Sequence, residues 1–309
     1  MELNEEILEN WSTDIHGYAN KIVSLQNAGY PAWTINTGDS FGVVIPYNGN
    51  EDINESFTNV RILSKEVIFD GGNVERALTM TSNSYESRDS FAAFCAAFVT
   101  PGSDGSNRAE IMNAPLLWWQ TWKEMLGNKN IDPRIYDVLG ELCVLKVLAE
   151  GGEDVNWNGP NRASYDIEME SRFVEVKSTL ARDKREVTIS SQFQLQADKP
   201  LWLVLCQFEA SVLSGISIDY IIGELNDMGY NTASVENKLS DMGFEQGMSA
   251  RKKTFILHDM LQYTVDDSFP RITPQSFLGG VLPQGITKIS YTVDLSGLAS
   301  TSLIHGEQK

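Results

Sequence analysis

Histidine and cysteine are scarce in this 309-residue chain, with three of each. The histidines (His16, His258 and His305) stand far apart in sequence, so a histidine-built metal site or a histidine general base has little material to draw on. The cysteines (Cys95, Cys143 and Cys206) lie singly in apolar runs, which predicts buried thiols and excludes a disulfide framework or a zinc-type spacing. Long apolar runs are missing as well: nothing approaches the ~20 residues of a membrane span. The first ten residues are acidic and carry no basic leader region, so the expectation is a cytoplasmic protein with no membrane partner. Positive charge is short, since 24 Lys and Arg against 42 Asp and Glu give a net charge of −18. That balance excludes a protein that coats nucleic acid by general attraction, and any polyanion has to be met locally. No G-x-x-x-x-G-K-[ST] loop and no dinucleotide fingerprint occurs, which leaves nucleotide hydrolases and Rossmann oxidoreductases without support.

What is present reads as an α/β chain (α+β overall) in three parts. Residues 1–105 form the first. After a helix-like start, the runs AWTIN, FGVVIPY, NVRILSKEVIF and ERALTM are separated by Gly, Asn and Asp clusters, which predicts an antiparallel β-rich subdomain. RDSFAAFCAAFV then reads as a helix, and PGSDGSN at 101–107 as the boundary linker. Residues 106–214 form the second part. PLLWWQTWKEML is a packing helix with Pro115 in its first turn; a longer helix opens at Asp132-Pro133 and stops at Gly151-Gly152. Two short strands, ASYDIEME and RFVEVKSTL, turn near Ser171 and are followed by helix-like SSQFQLQ and the strand LWLVLCQF. The order α, β, β, α, β favours a mixed sheet flanked by helices. Residues 215–309 contain two helical stretches and the strand-like TFILHDM and ITKISYTVDL, a small mixed C-terminal region.

The chemistry concentrates in the second part. Residues 101–200 hold 12 of the 24 basic residues. In the strand FVEVK, residues two apart share a face, so Glu175 and Lys177 stand side by side while Val174 and Val176 enter an apolar layer. A hairpin centred near Ser171 brings Asp166 antiparallel to Glu175 on the same face. Two acids in a half-buried place need a cation, and carboxylates with a backbone carbonyl, here Val176, suit Mg²⁺, with Mn²⁺ as a substitute. Lys177 beside that ion could orient or deprotonate water, or offset charge on a phosphoryl oxygen. Glu141, with Val138, Val144 and Leu145 at i−3, i+3 and i+4, places a charge on its helix's apolar face. Gln194 offers an amide for a water or a phosphate. Arg162, Arg182, Lys184 and Arg185 surround the motif as candidate contacts to a nucleic-acid backbone, alongside the plainer reading that such charges solubilise hairpin edges.

GELCVLK followed by YDIEMESRFVEVK resembles the helix and the D-x8-E-x-K signature of the PD-(D/E)XK nuclease superfamily. The resemblance implies metal-dependent phosphodiester hydrolysis on a restriction-endonuclease-like core, with Glu141, Asp166, Glu175 and Lys177 in the family's four positions. Tyr165 stands where the motif's name has proline. GELCVLKVL, VTISSQFQL, FPRI and ISYTVDL extend the similarity to a bacterial family labelled "PD-(D/E)XK motif protein". That similarity implies a nuclease subunit of restriction or phage-defence gene clusters, with DNA as substrate and an ATPase or a methyltransferase as partner subunits; a homodimer stays open. A catalytically silent subunit that binds DNA or a partner through the same fold also stays open. A rival hydrolase signature, Gly38-x-Ser40-x-Gly42 with His258 as its one plausible partner, lacks the strand-to-helix context of a nucleophile elbow, and a hairpin loop accounts for it.

Overall fold

A computed structural model describes residues 2–13, 19–57, 59–69, 73–125, 132–159, 165–212 and 214–304. Arg162, His16 and His305 lie outside the described residues. The chain divides into two units, Met1–Lys129 with Gly247–Ser249, and Asn130–Gln246 with Ala250–Lys309. Among the described residues no helix is long and apolar enough to cross a membrane.

The first unit contains α1 (Leu3–Thr13), β1 (Ala19–Lys21), α2 (Val23–Asn27), β2 (Trp33–Asn36), β3 (Phe41–Pro46), β4 (Asn54–Phe57), β5 (Val60–Ile68), β6 (Val74–Ser82), α3 (Arg88–Val99), α4 (Ser106–Asn113) and α5 (Pro115–Met125). Its strands form one antiparallel sheet in the order β1-β2-β3-β6-β5-β4. The Gly38-x-Ser40-x-Gly42 stretch is the β2–β3 hairpin loop, with Asn36 opposite Phe41 and the Ser40 hydroxyl 3.0 Å from that of Thr37. No helix follows it, so it is not an elbow. The tryptophan segment departs from the three-part reading. Trp118 and Trp119 are buried with Phe91, Phe98 and Ile111, and Trp118 meets Phe98 edge-on at 5.3 Å. Residues 106–125 therefore complete the core of the β-rich unit, because large rings bury most area where other rings are already packed.

The second unit contains α6 (Asp132–Glu150), β7 (Val155–Trp157), β8 (Ile167–Met169), β9 (Phe173–Thr179), β10 (Glu186–Ile189), β11 (Leu201–Ser211), α7 (Ile218–Asp227) and α8 (Thr232–Asp241); the short α9 (Ser249–Lys252) leads into β12 (Thr254–Thr264), followed by β13 (Tyr291–Asp294) and β14 (Thr301–Ser302). Six strands make a mixed sheet, β14-β12-β11-β9-β8-β7, in which β9 and β11 are the parallel pair. β12 runs antiparallel along the whole of β11, so the C-terminal segment builds the same sheet as the motif strands and is no separate region. Both faces of β11 are covered, which is why LWLVLCQF is apolar at nearly every position. Val204, Cys206 and Phe208 pack under α6, α7 and α8. Leu201, Leu203 and Leu205 pack on the other face against Val187, Ile189 and Val293 of the two-stranded sheet β10–β13. Among the described residues the helices thus cover one face, and a small sheet covers the second. The stretch SSQFQLQ is not a helix. Its N–H groups close two i→i−3 turns, Gln194 to Ser191 and Gln196 to Phe193, at 3.1 Å each, and the Gln192 and Gln194 side chains are held by other segments of the chain.

Candidate active site

The hairpin that carries the motif has a two-residue turn. Ile167 faces Val174, Glu168 faces Phe173, and the Met169 N–H donates to the Arg172 carbonyl at 3.0 Å, leaving Glu170 and Ser171 at the tip. Continued by one residue, that register sets Asp166 opposite Glu175. The side chain of Asp166 fixes the same point: its Oδ2 accepts from the Val176 N–H at 2.7 Å. The Val176 carbonyl points to the same side in an extended strand, the side on which β8 has already ended. Tyr165, in the place of the motif's proline, stacks on Phe173 at 4.5 Å and donates its hydroxyl to the Gln196 carbonyl, tying the turn after β10 to the residue beside Asp166.

Glu175 is 2% exposed. The Lys177 ammonium lies 2.7 Å from Glu175 Oε1, and Gln194 Nε2 donates to the same oxygen at 3.0 Å. Gln194 is itself oriented, because its Oε1 accepts from the Ser190 N–H at 2.6 Å. The sequence reading gave that amide to a water or a phosphate; in the structure it holds Glu175. Glu141 comes from the helix layer, and its Oε2 accepts from the Trp157 indole at 2.6 Å. Among the described residues, no hydrogen bond reaches Asp166 Oδ1, Glu175 Oε2 or Glu141 Oε1.

The electrostatics show one cluster. Burial, then the charge of Asp166, pushes Glu175 up to about 8, although Lys177 pulls the other way. Burial and then Asp166 also raise Glu141 well above the ordinary glutamate range, with the Trp157 bond opposing. Asp166 is raised by burial against the Val176 N–H and Lys177. Asp137, at the exposed rim of α6, is raised to about 6 by burial and by Asp166, with Lys177 opposing. Burial lowers the Lys177 ammonium, but Glu175, Asp166 and Asp137 together outweigh it and its pKa ends raised. Three acids therefore act on one amine, and Glu141 joins the cluster through the other acids. Sequence reasoning missed two members. Asp137 was accessible as the residue one helical turn before Glu141. Trp157 was not, since its contact depends on how β7 meets α6.

The remaining predicted residues divide. Arg182 and Lys184 are exposed and Arg185 half-exposed on the loop after β9. Arg172 lies over the Trp202 ring at 4.0 Å, and buried Arg251 binds Asp219 and Glu236 at 2.6 Å each and is structural. His258 pairs with Glu209 at 2.8 Å.

Close packing sets where α6 can place its acids. A Cβ at Gly140 would sit 2.1 Å from Ser178 Oγ, with the next atoms at 3.4 and 3.5 Å. Gly140→Ala is expected to destabilise the protein by about 1–3 kcal/mol through overpacking, and to displace Glu141 with it. Ser178→Ala removes the clashing oxygen, which has no hydrogen-bond partner among the described residues, so the double variant should recover most of the loss in denaturant titration. Equal stability of single and double variants would show that Ser178 does not set the spacing.

A family model described as "Putative PD-(D/E)XK family member, (DUF4420)" matches residues 23–296. The chain belongs to the DUF4420 family. The match covers both units of the DUF4420 chain and includes Glu141, Asp166, Glu175 and Lys177. No curated protein and no solved structure matches it.

Members of the PD-(D/E)XK class are typically metal-dependent. Among the described residues, no set of three or more His, Cys, Asp or Glu side chains is arranged to hold a metal ion. Mg²⁺ asks for less, one or two carboxylates with waters completing the octahedron. Asp166 and Glu175, each with an oxygen lacking a donor among the described residues, and the Val176 carbonyl satisfy that requirement in this DUF4420 chain.

Proposed function

We propose that this chain is a Mg²⁺-dependent deoxyribonuclease with a restriction-endonuclease-like core, acting as a subunit of a bacterial restriction or phage-defence system. The observation that carries the reading is the excess of acid over amine around one buried carboxylate: Glu175, with half-buried Glu141 and Asp166 and with Asp137 at the rim, against Lys177. Such a cluster is unfavourable for its own sake and becomes favourable when a divalent cation binds. Asp166, Glu175 and the Val176 carbonyl would hold the ion. Bound Mg²⁺ supplies a Lewis acid and a lowered pKa for water.

The chain's own residues do the rest. In the metal-free site three acids hold the proton on Lys177, and as an ammonium it would serve as a cation and donor toward a phosphoryl oxygen. Gln194 and Lys177 fix Glu175 through one oxygen and leave the other available. Trp157 keeps Glu141 turned toward Asp166. The overall step is hydrolysis: the water oxygen bonds to phosphorus as the bond to the leaving sugar oxygen breaks, and one proton of that water ends on the leaving oxygen. With a charge of −18, the chain fits a role beside partner subunits such as an ATPase or a methyltransferase, which would add phosphate contacts.

The test is DNA cleavage by purified protein, alone and with its neighbouring subunits, in Mg²⁺ and in EDTA. Cleavage is expected in Mg²⁺, absent in EDTA and lowered by on the order of a thousandfold in Asp166→Asn. A wild type that holds DNA and never cuts it would remove the catalytic reading and leave a binding subunit.

A further inference from the structure

Gln207 is 2% exposed on the face of β11 where its neighbours in alternation, Leu203 and Leu205, are apolar. A buried primary amide is costly unless its hydrogens find acceptors. The Gln207 Nε2 finds three, the carbonyls of Ala181, Arg182 and Lys184 at 3.1, 3.0 and 3.3 Å. All three belong to the loop that leaves β9 just after Lys177. Thr179 Oγ1 accepts from the Ala181 N–H at 3.0 Å at one end of that loop, and the Leu295 N–H holds the Arg185 carbonyl at 2.8 Å at the other. The pairing of β11 with β12 shifts register between Gln207 and Phe208, the kind of bulge that re-aims a side chain.

The loop has something to gain from being held. It carries Arg182, Lys184 and Arg185 with Asp183 among them, and Arg182, Asp183 and Lys184 are all exposed. A turn free to wander would let Asp183 offset part of the attraction its three cations offer an anion. A turn whose carbonyls are drawn inward onto one amide can keep its cations presented. In a chain this acidic, fixed local geometry is how a phosphate is met.

We infer that Gln207 is a positioning residue that holds the 180–185 turn as a phosphate-binding element for the DNA backbone beside the cleavage point. This rests on the deoxyribonuclease reading for its substrate, but not on catalysis. The test is binding of a fluorescent DNA duplex in EDTA, followed by anisotropy across a salt series, for wild type, Gln207→Met and the Arg182→Ala/Lys184→Ala pair. Gln207→Met is expected to weaken binding about tenfold and to flatten the salt dependence by about two phosphate contacts. The exposed alanine pair should do the same, with little further loss when all three changes are combined. In Mg²⁺ the loss should appear in KM, with kcat within about twofold of wild type. Should Gln207→Met fail to fold, the alanine pair carries the test. Wild-type affinity and salt slope in the folded variants, or a wild type that binds no DNA, would overturn the inference. A wild type that binds with this salt dependence and does not cut would remove the nuclease reading and leave the loop assignment standing.

Discussion

Glu175→Gln is expected to lower cleavage by on the order of a thousandfold and, in the same protein, to raise the stability of the metal-free fold. The two effects have one cause. Glu175 is buried beside Asp166, and its pKa stands at about 8 in the folded chain, against an ordinary glutamate value near 4.3 when unfolded. The folded state therefore binds more protons than the unfolded state across that interval. Stability is full below about pH 4.3, falls as pH rises toward 8, and stays low above it. At pH 7 the folded chain still holds most of a proton that the unfolded chain has released, which costs the fold roughly 3–4 kcal/mol. Glutamine cannot ionise, yet its amide oxygen still accepts from Lys177 and Gln194. The variant's Tm should exceed that of wild type by roughly 5–10 °C near pH 8 and match it near pH 4.5. Mg²⁺ should raise the wild-type Tm at pH 8 and leave the variant unchanged. A variant no more stable than wild type at any pH would show that the carboxylate is not in conflict with its surroundings.

Lys177→Met should lose activity on a similar scale but move stability the opposite way. The ammonium is the one cation bearing on Glu175, Asp166 and Asp137 among the described residues. Removing one partner of a buried ion pair leaves the other charge without compensation, a loss of about 3–5 kcal/mol above about pH 8, where Glu175 is ionised. Protonation of Glu175 relieves part of it, so the deficit should shrink as pH falls below about 8. Adding Glu175→Gln to Lys177→Met should recover stability while the protein stays inactive, since the remaining amide needs no counter-charge. Urea titration of the two single variants and the double variant measures this coupling. A double variant that is merely the sum of the singles would place Glu175 and Lys177 in separate environments.

Much of the site is legible in the residues because it depends on local rules. The period of two in FVEVK puts Glu175 and Lys177 on one face, and the short hairpin sets Asp166 against Glu175, with the turn at Glu170-Ser171. Pro133 and Gly151-Gly152 bracket α6. What escaped the sequence depends on packing between distant segments. The Trp157 indole meets Glu141 only because β7 lies beside α6, and nothing local in VNW announces it. Trp118 and Trp119 look the same from sequence whichever core they join. SSQFQLQ has helical composition, yet Gln194 and Gln192 are held by Glu175 and by the backbone of Thr287 and Ile289, so tertiary contacts fix the turns. Arg251 reads as a surface charge in Arg-Lys-Lys until α7 and α8 supply Asp219 and Glu236 around it.

Counting bound Mn²⁺ directly in wild type and in Asp166→Asn, by the loss of the free-ion electron paramagnetic resonance signal at neutral pH, addresses the convergence of these groups without requiring a DNA substrate. Asp166 bears on both Glu141 and Glu175 and is anchored to the Val176 N–H, so it is the ligand whose loss should be least replaceable. One ion per wild-type chain and none on Asp166→Asn is the expected result; equal binding by the two proteins, or no binding by either, would contradict it.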